Sequence, residues 1–305
     1  LGHSDPEKLK EAASVIHHLS PDDLDKRRTE VEKLMERLKV ASDAELMQIA
    51  IDDLNNSSLS HEDRHRALQE LLILVEPIDN ANDLHKLGGL AAIISQLNDP
   101  DPEVRAVAGW ILGKASQNNH FVQSQILELG ALMTLMDMAR SDHLEEATKA
   151  LYAISALIRN NIRGQELFYE QNGTVMLEFI SSNSSIDVRL LRKSVFLLAD
   201  LVESQLEGMD DDLEQPFFND PVLLKSLVDL LASEDLDLQE KALYAVKNLL
   251  LLRYTDALIF KEICKLDVAL GRMQQRLREL DRFEEFANDM ESLRREVEVL
   301  FAAKL

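Results

Sequence analysis

The sequence predicts an all-α fold built as a solenoid of tandem helical repeats. The 305 residues include only 10 Gly and 7 Pro, so turns are few and helices are long. Aromatic residues make up 5%, and Val and Ile do not fall in alternating runs, which disfavours a β-sandwich or a barrel. From residue 60 onward, similar segments recur about every 42 residues, as between Gly88 and Gly130. Such self-similarity is the mark of a repeat protein.

Composition and charge restrict the function further. Lys and Arg number 33 against 55 Asp and Glu, giving a net charge of −22. A chain this acidic repels phosphate backbones and anionic lipids, so we expect no nucleic-acid partner and no membrane partner. No run of about 18 apolar residues is present, so we predict no membrane insertion. The single cysteine, Cys264, excludes internal disulfides and multi-cysteine zinc sites.

Residues 1–59 are predicted to form an acidic, helical N-terminal segment. Ser20-Pro21 is a good helix start, with Ser as the N-cap and Pro at the first helical position. A second helix is expected from about Asp43 to Leu54, ended by the polar stretch Asn55–Ser58.

Four repeats are predicted over residues 60–254. Turns at Gly88, Gly130 and Gly173, and a degenerate one at Asp220, mark them. Each turn follows a short helix and precedes an amphipathic helix of about ten residues, and a polar break then leads to a longer helix. The long helices are expected near 102–118, 144–160, 186–204 and 237–253. This unit is typical of armadillo-like repeats, which stack because one alone cannot bury its apolar face. Residues 255–305 are predicted to be a charged helical cap.

Four aromatic residues fall in one column when the long helices are aligned on their alanine-rich cores. The column consists of Trp110, Tyr152, Phe196 and Tyr244. Lysine stands three residues earlier in three of the four helices, and the positions four and seven residues later share the same helical face. The opposite face is predicted to be core and carries Ile111, Leu112, Ile154, Leu157, Leu198, Leu201, Val246 and Leu249.

An aromatic column on the polar side of these helices has two interpretations. The rings could pack between neighbouring repeats. They could instead form a ladder along the concave surface, and aromatic anchors among charged neighbours are typical of binding hot spots. Because the lysine column locally reverses the sign of an acidic chain, it would suit an acidic partner surface. We therefore predict a protein-binding face.

The segment His61–His65 matches the H-E-x-x-H pattern of zinc peptidases. We expect no metal site there, because Ser60 is predicted to cap this helix and to leave the motif in an exposed first turn. No third ligand follows at a recognisable spacing, and the chain has no phosphate-binding loop, dinucleotide fingerprint or nucleophile elbow. We predict no catalytic residue, no metal and no cofactor, and a metallopeptidase is the weakest alternative.

Several segments of the repeat region resemble one known family. They are Ala67–Leu72 followed by Ile78–Leu84, Ser116–Asn119 at the end of the first long helix, Lys149–Arg159 and Leu191–Leu198. Together they resemble the armadillo core of the nucleotide exchange factors for seventy-kilodalton heat-shock chaperones. The resemblance covers about residues 60–255.

The resemblance implies a co-chaperone that is not an enzyme and is a monomer. Its concave groove would hold lobe II of the chaperone's nucleotide-binding domain, which is incompatible with a closed cleft, so ADP is released. Carried over residue by residue, the expected contacts are Trp110, Lys114, Asn118, Lys149, Tyr152, Arg159, Lys193, Phe196, Asp200, Tyr244 and Asn248. The sequence departs from the common armadillo pattern at Lys114 and Ala156, where Asn is frequent.

The family has a cytosolic branch and an endoplasmic-reticulum branch. Glycosylation sequons begin at Asn55, Asn56, Asn172 and Asn183, and the long helical segment before the core is closer to the lumenal branch. We therefore expect the endoplasmic reticulum lumen and a BiP-like partner, with the cytosol as the alternative. The alternative function is an armadillo adaptor that binds an extended peptide, although only Tyr244 with Asn248 approaches the Trp/Asn pairs that this function would need.

Overall fold

The computed structural model of the protein describes residues 25–30, 41–183, 185–207, 216–279 and 284–305. Over these ranges the chain is helical and contains no strand, which confirms the all-α prediction. Two compact units are present, Leu1–Leu46 and Met47–Leu305. Of the first unit, residues 25–30 are helical, and the predicted helix start at Ser20-Pro21 lies outside the described residues. Within the described ranges, no helix has the length and apolar character to cross a bilayer.

Fifteen elements of the described chain are named in order as α-helices. They are α1 (Asp43–Asn55), α2 (His61–Leu74), α3 (Ile78–Lys86), α4 (Gly89–Gln96), α5 (Pro102–Ser116), α6 (His120–Glu128), α7 (Ala131–Met138), α8 (Leu144–Ile158), α9 (Ile162–Glu170), α10 (Gly173–Ser182), α11 (Val188–Glu207), α12 (Pro221–Asp229), α13 (Leu236–Leu251), α14 (Leu266–Leu277) and α15 (Glu284–Lys304). Short 3-10 turns occupy Pro216–Asn219 and Leu230–Ala232, and a π turn occupies Ile259–Ile263.

The helices of the second unit stack as triplets, each made of a short helix, an amphipathic helix and a long helix. The long helix of one triplet packs against that of the next, so that α5 contacts α8, α8 contacts α11, and α11 contacts α13. The row is extended by α2, which packs on α5, and by α15, which packs on α13. All eight residues predicted for the core side of the long helices are buried. The sequence prediction of that face is therefore confirmed.

In the first three triplets, the turn between the first two helices contains a left-handed residue, whereas Asp220 at the corresponding place in the fourth has φ of −65°. Gly88 and Gly130 take the left-handed conformation with φ of 77° and 76°, a region that glycine enters without steric cost. In the third triplet the left-handed residue is Asn172, with φ of 61°, and not Gly173 as the sequence suggested. Asparagine tolerates this conformation. Gly173 instead lies against the ring of Phe168, where a Cβ would collide.

A pair of adjacent asparagines follows each of the first two long helices and reverses the chain direction. Asn118 and Asn160 follow α5 and α8 with φ of 54° and 53°, again in the left-handed region where asparagine is enriched. The next residue of each pair caps the following helix, because the side chain of Asn119 accepts from the Val122 amide and that of Asn161 accepts from the Gly164 amide. These turns reverse the chain into α6 and α9.

Ionic contacts tie the start of one long helix to the next triplet. Arg105 Nε donates to Glu146 Oε1 at 2.6 Å, and its Nη2 donates to Glu146 Oε2 at 2.8 Å. Glu146 is only 2% exposed and also accepts from the Ser141 hydroxyl at 2.7 Å. Arg192 Nε makes the corresponding bond to Asp235 at 3.0 Å, at the junction of α11 with α13. A bidentate guanidinium–carboxylate pair fixes geometry as well as charge, so these contacts set the register of the stack.

The helix α15 carries a buried arginine. Arg294 is 2% exposed, and it donates to Glu291 at 2.7 Å and to Glu298 at 3.0 Å, one turn away on either side. Hydrogen bonds from Arg294, and further bonds from Arg295, lower the pKa of Glu291 from 4.5 to about 2, against the opposing effect of burial. The carboxylate of Glu291 is therefore held in its charged form.

This lowered pKa predicts how the stability depends on pH. A carboxyl group whose folded pKa is depressed stabilises the fold at pH values above its unfolded pKa, and the contribution fades as the pH falls towards the folded pKa. Denaturant unfolding of the wild type and of Glu291→Gln should therefore show the larger difference at pH 7. The difference should shrink between about pH 4.5 and about pH 2. A difference that stays constant down to pH 2 would contradict the assignment.

Candidate partner-binding face

The four column residues lie along one side of α5, α8, α11 and α13, which we call the ring face. Phe196 and Tyr244 are 44% and 38% exposed, whereas Trp110 and Tyr152 are half-buried. Tyr152 and Phe196 line one cavity, and Phe196 and Tyr244 line another. The last three rings of the column are thus linked through shared cavities, and Trp110 lines neither of them.

Two lysines cover Trp110 on the ring face. Lys149 Nζ lies 3.2 Å from the centroid of the Trp110 ring, and Lys114 Nζ lies 5.4 Å from it. Lys149 also pairs with Glu145 at 3.4 Å, and Lys114 pairs with Glu76 of the preceding segment. Cation–π contacts of this kind stabilise the ring and occupy its face. Both ammonium groups therefore lie close to the Trp110 ring.

The ring of Tyr152 packs against α5, the preceding long helix. A Cβ placed on Gly113 of α5 would be 2.6 Å from two atoms of the Tyr152 ring, so the absence of a side chain at Gly113 lets the ring approach. The Tyr152 hydroxyl donates to Gln117 Oε1 at 3.0 Å, and burial raises the pKa of Tyr152. The sequence reasoning missed Gly113. A glycine inside a helix is costly and usually has a packing reason, and that was the available signal.

Phe196 is flanked by cations from both neighbouring helices. The guanidinium of Arg159 lies 5.3 Å from the Phe196 ring centroid, and Lys241 Nζ lies 5.6 Å from it. Arg159 also donates through Nε to Asp200 at 3.1 Å. Burial raises the pKa of Asp200, while the bond from Arg159 opposes that shift. The ring, the two cations and the carboxylate form one cluster across α8, α11 and α13.

The last predicted residues of the ring face differ in exposure. Tyr244 reaches Glu203 of α11 through its hydroxyl at 3.4 Å, and Lys247 lies 5.8 Å from its ring. Lys193 and Asn118 are exposed. Asn248 is only 4% exposed, and its Nδ2 has no hydrogen-bond partner among the described residues. The structure therefore brings the predicted residues to one face except Asn248, which lies beneath it.

A cavity of about 300 Å³ opens on the ring face where α8 and α11 meet. Its lining comprises Gln117, Asn118, Leu151, Tyr152, Ser155, Ala156, Arg159, Arg192, Lys193, Phe196 and Lys241. Arg192 and Lys241 were absent from the predicted contacts. Lys241 belongs to the lysine column and could have been found from it, but Arg192 reaches the cavity from a position that periodicity alone does not mark.

The H-E-x-x-H segment takes part in helix capping. Ser60 Oγ accepts from the Asp63 amide at 3.1 Å, which confirms the predicted cap, and His61 Nε2 lies 2.6 Å from Asp101 Oδ2. Over the described ranges, no group of three His, Cys, Asp or Glu side chains could hold a metal ion. Cys264 is buried, and its burial raises the pKa of the thiol to about 11, so it is a poor nucleophile at neutral pH.

Comparison with known protein families shows to which family this chain belongs. The family model described as SIL1/FES1/HPBP1 C-terminal domain matches residues 80–220, and that described as Nucleotide exchange factor Fes1 matches residues 1–84. The chain is 31% identical over 159 residues to the Hsp70 nucleotide exchange factor FES1 of Coccidioides immitis, a match that covers 52% of this chain and 70% of that one. The chain belongs to the SIL1/FES1/HPBP1 family. The resemblance predicted from the repeat region is confirmed.

Other members of the SIL1/FES1/HPBP1 family are longer than the matched region. FES1 of Mycosarcoma maydis is 33% identical over 167 residues, which cover 55% of this chain and 41% of that protein. SIL1 of Mus musculus is 34% identical over 180 residues, which cover 58% of this chain and 38% of that protein. The chain spans about two fifths of the length of these two curated relatives.

Solved structures identify the fold of this family member as armadillo-like. Computationally designed armadillo repeat proteins for modular peptide recognition superpose with a TM-score of 0.65 at 17% identity, over 84% of this chain and 99% of that one. A designed armadillo repeat protein in complex with the peptide (KR)4 gives a TM-score of 0.60 at 16% identity, over 85% of this chain and 99% of that one. At these identities the likeness concerns the fold, and it confirms the predicted repeat class.

Proposed function

We propose that this protein is a nucleotide exchange factor for an Hsp70 chaperone and that its ring face binds the chaperone's nucleotide-binding domain. Family membership carries the proposal, because the curated relatives are named as nucleotide exchange factors, FES1 for Hsp70 and SIL1. The ring face supports it with aromatic anchors, of which Phe196 and Tyr244 are exposed, set among cations. Aromatic and arginine side chains dominate the energetics of protein interfaces.

The proposed mechanism is differential affinity for two states of the chaperone. Holding lobe II of the nucleotide-binding domain favours the open cleft, from which ADP leaves and into which ATP enters. A tenfold preference for the open state shifts the equilibrium by about 1.4 kcal/mol. Linkage requires that bound nucleotide lower the affinity of the chaperone for the exchange factor by the same factor. No bond is made or broken on this chain, so the protein acts as a regulator and is not an enzyme.

The chemistry of the ring face fits a folded partner with acidic groups on its surface. Arg159, Lys193 and Lys241 surround Phe196, and Lys114 and Lys149 surround Trp110. In a chain of net charge −22, these cations concentrate positive charge on the face, although several of them are paired with carboxylates, and positive charge at an interface favours acidic groups on a partner.

We propose that the protein is a monomer of the endoplasmic reticulum lumen, with the cytosol as the alternative compartment. The organisation proposed for it is an N-terminal helical segment over 1–59, four repeats over 60–254 and a helical cap over 255–305. Three of the sequon asparagines, Asn55, Asn56 and Asn172, are exposed and would accept a glycan in that compartment. A glycosidase-sensitive mass shift of the protein from its native cells would support the lumen, and recovery in the cytosolic fraction would contradict it.

Release of a fluorescent ADP analogue from purified Hsp70 chaperones tests the function. Each chaperone, cytosolic or lumenal, is loaded with the labelled nucleotide and chased with excess ATP, with and without this protein. We expect faster release from at least one chaperone, and saturation as the concentration of this protein rises. Unchanged release from every chaperone would refute the proposed function.

A further inference from the structure

The cavity of about 300 Å³ between α8 and α11 has a lining of unusual charge for this protein. Four of the residues that line it are cationic and none is acidic, although acidic residues outnumber basic ones by 55 to 33 in the whole chain. The cations come from three helices, with Arg159 on the end of α8, Arg192 and Lys193 on α11, and Lys241 on α13. A concentration of one sign in a concave site selects ligands of the opposite sign.

The acidic partners of these cations lie outside the cavity. Arg159 pairs with Asp200, and Arg192 pairs with Asp235. Lys241 Nζ lies 3.1 Å from Asp237, which is 46% exposed. Lys193 forms no ion pair within the described ranges and is exposed. Three of the four cations are therefore paired with carboxylates that do not line the cavity, and the positive charge of Lys193 is not balanced by an ion pair within the described ranges.

The floor of the cavity is apolar. Leu151 and Ala156 are buried residues of its lining, and the rings of Tyr152 and Phe196 also line it. Beyond Arg159 the surface changes sign, because a neighbouring space of about 380 Å³ is lined by Asp200, Glu203 and Glu207. A ligand in the first cavity is thus offered apolar contact below and positive charge at the rim, and it is kept from sliding towards the acidic space.

We propose, on the basis of the exchange-factor function above, that this cavity receives an acidic side chain next to an apolar one on the surface of the partner protein. The lining fits this occupant, because Arg159, Arg192, Lys193 and Lys241 supply positive charge while Leu151 and Ala156 supply apolar contact. Arginine and lysine side chains bind carboxylates through charge-assisted hydrogen bonds.

Charge reversal of the two lysines tests the proposal. Lys193→Glu together with Lys241→Glu should weaken binding to a chaperone that responds to the wild type by at least about tenfold in low salt. The difference in affinity between the double variant and the wild type should become smaller in about 0.5 M salt, because exposed charges are then screened. Binding is measured by titrating this protein into the chaperone loaded with labelled ADP and recording release. Lys193→Gln with Lys241→Gln should give an intermediate loss.

The control variant is Lys261→Glu, which makes half the charge change of the double variant on the exposed π turn, at a residue that does not line the cavity. It should leave affinity within about twofold of the wild type. If the wild type accelerates release and both lysine double variants bind as tightly as the wild type, the cavity assignment is overturned while the exchange function stands. Equal weakening by Lys261→Glu would also overturn it, since net charge would then be the cause. Binding of labelled ATP to this protein alone, lost in the double variant, would assign the cavity to a nucleotide instead.

Discussion

The double substitution Tyr152→Ala with Phe196→Ala should remove most of the acceleration of ADP release. The two rings line the same cavity of the ring face, and central aromatic anchors typically contribute about 2 kcal/mol or more each on truncation. A combined loss of about 3 to 4 kcal/mol corresponds to a reduction in affinity of two to three orders of magnitude. Release of labelled ADP is measured at protein concentrations that saturate the wild type.

The matched control is Phe121→Ala with Phe179→Ala. These phenylalanines are 48% and 40% exposed, close to the 44% of Phe196, but they lie on α6 and α10, away from the ring face. The control should retain the wild-type rate, and both double variants should keep the helical circular dichroism signal. Equal loss in the two variants, or full activity of Tyr152→Ala with Phe196→Ala, would contradict the assignment of the face.

The largest effect on stability is expected from Arg105→Ala. Removing this guanidinium leaves the carboxylate of Glu146, only 2% exposed, with the Ser141 hydroxyl as its remaining side-chain donor. An uncompensated buried charge costs about 3 kcal/mol or more. Denaturant unfolding at pH 7 should show this loss as a lower midpoint. Replacing both partners, with Arg105→Met and Glu146→Leu, should recover most of it because no buried charge is then left alone.

An exposed ion pair provides the comparison for Arg105→Ala. Arg163 and Glu166 pair at 3.1 Å on α9 with exposures of 64% and 51%, so Arg163→Ala should cost less than about 0.5 kcal/mol. If Arg105→Ala also lowers the free energy of unfolding by less than about 0.5 kcal/mol, the bidentate pair does not stabilise the packing of α5 against α8.

Much of the architecture could be predicted because it depends on spacing. The period of the turns and the apolar faces of the long helices are properties of sequence order, and the predicted long helix 144–160 agrees with α8 (Leu144–Ile158) to within two residues. The one misplaced turn arose because Asn172 and Gly173 are adjacent and both tolerate turns. Backbone φ decides between them, and the packing of Phe168 against Gly173 is not visible from spacing.

The details of the ring face depended on contacts between distant residues. Periodicity placed Asn248 in line with the ring face, but the structure buries it to 4%. Periodicity also placed Lys149 in the lysine column, but the position of its ammonium over the Trp110 ring is known only from the structure. Gly113 and Arg192 matter through what packs beside them in the next helix. Side-chain direction and inter-helix distance determine these features, and neither is encoded in a repeat length.

The row of long helices is longer than the four predicted repeats. α2 packs on α5 at one end, and α15 packs on α13 at the other. Met47 and Ile51 of α1 are also buried in the same core. End helices of a solenoid must cover an apolar face that no further repeat would cover, which explains the burial of apolar side chains in α1 and α15.

The central claim, that this protein acts by preferring the nucleotide-free chaperone, is tested most directly by thermodynamic reciprocity. The dissociation constant of this protein for the isolated nucleotide-binding domain is measured without nucleotide and with saturating ADP, and the dissociation constant of ADP is measured with and without saturating protein. Both ratios should exceed about tenfold and should be equal, as linkage requires. Identical affinities with and without ADP would contradict the account, because a protein that binds both states equally cannot shift the equilibrium between them.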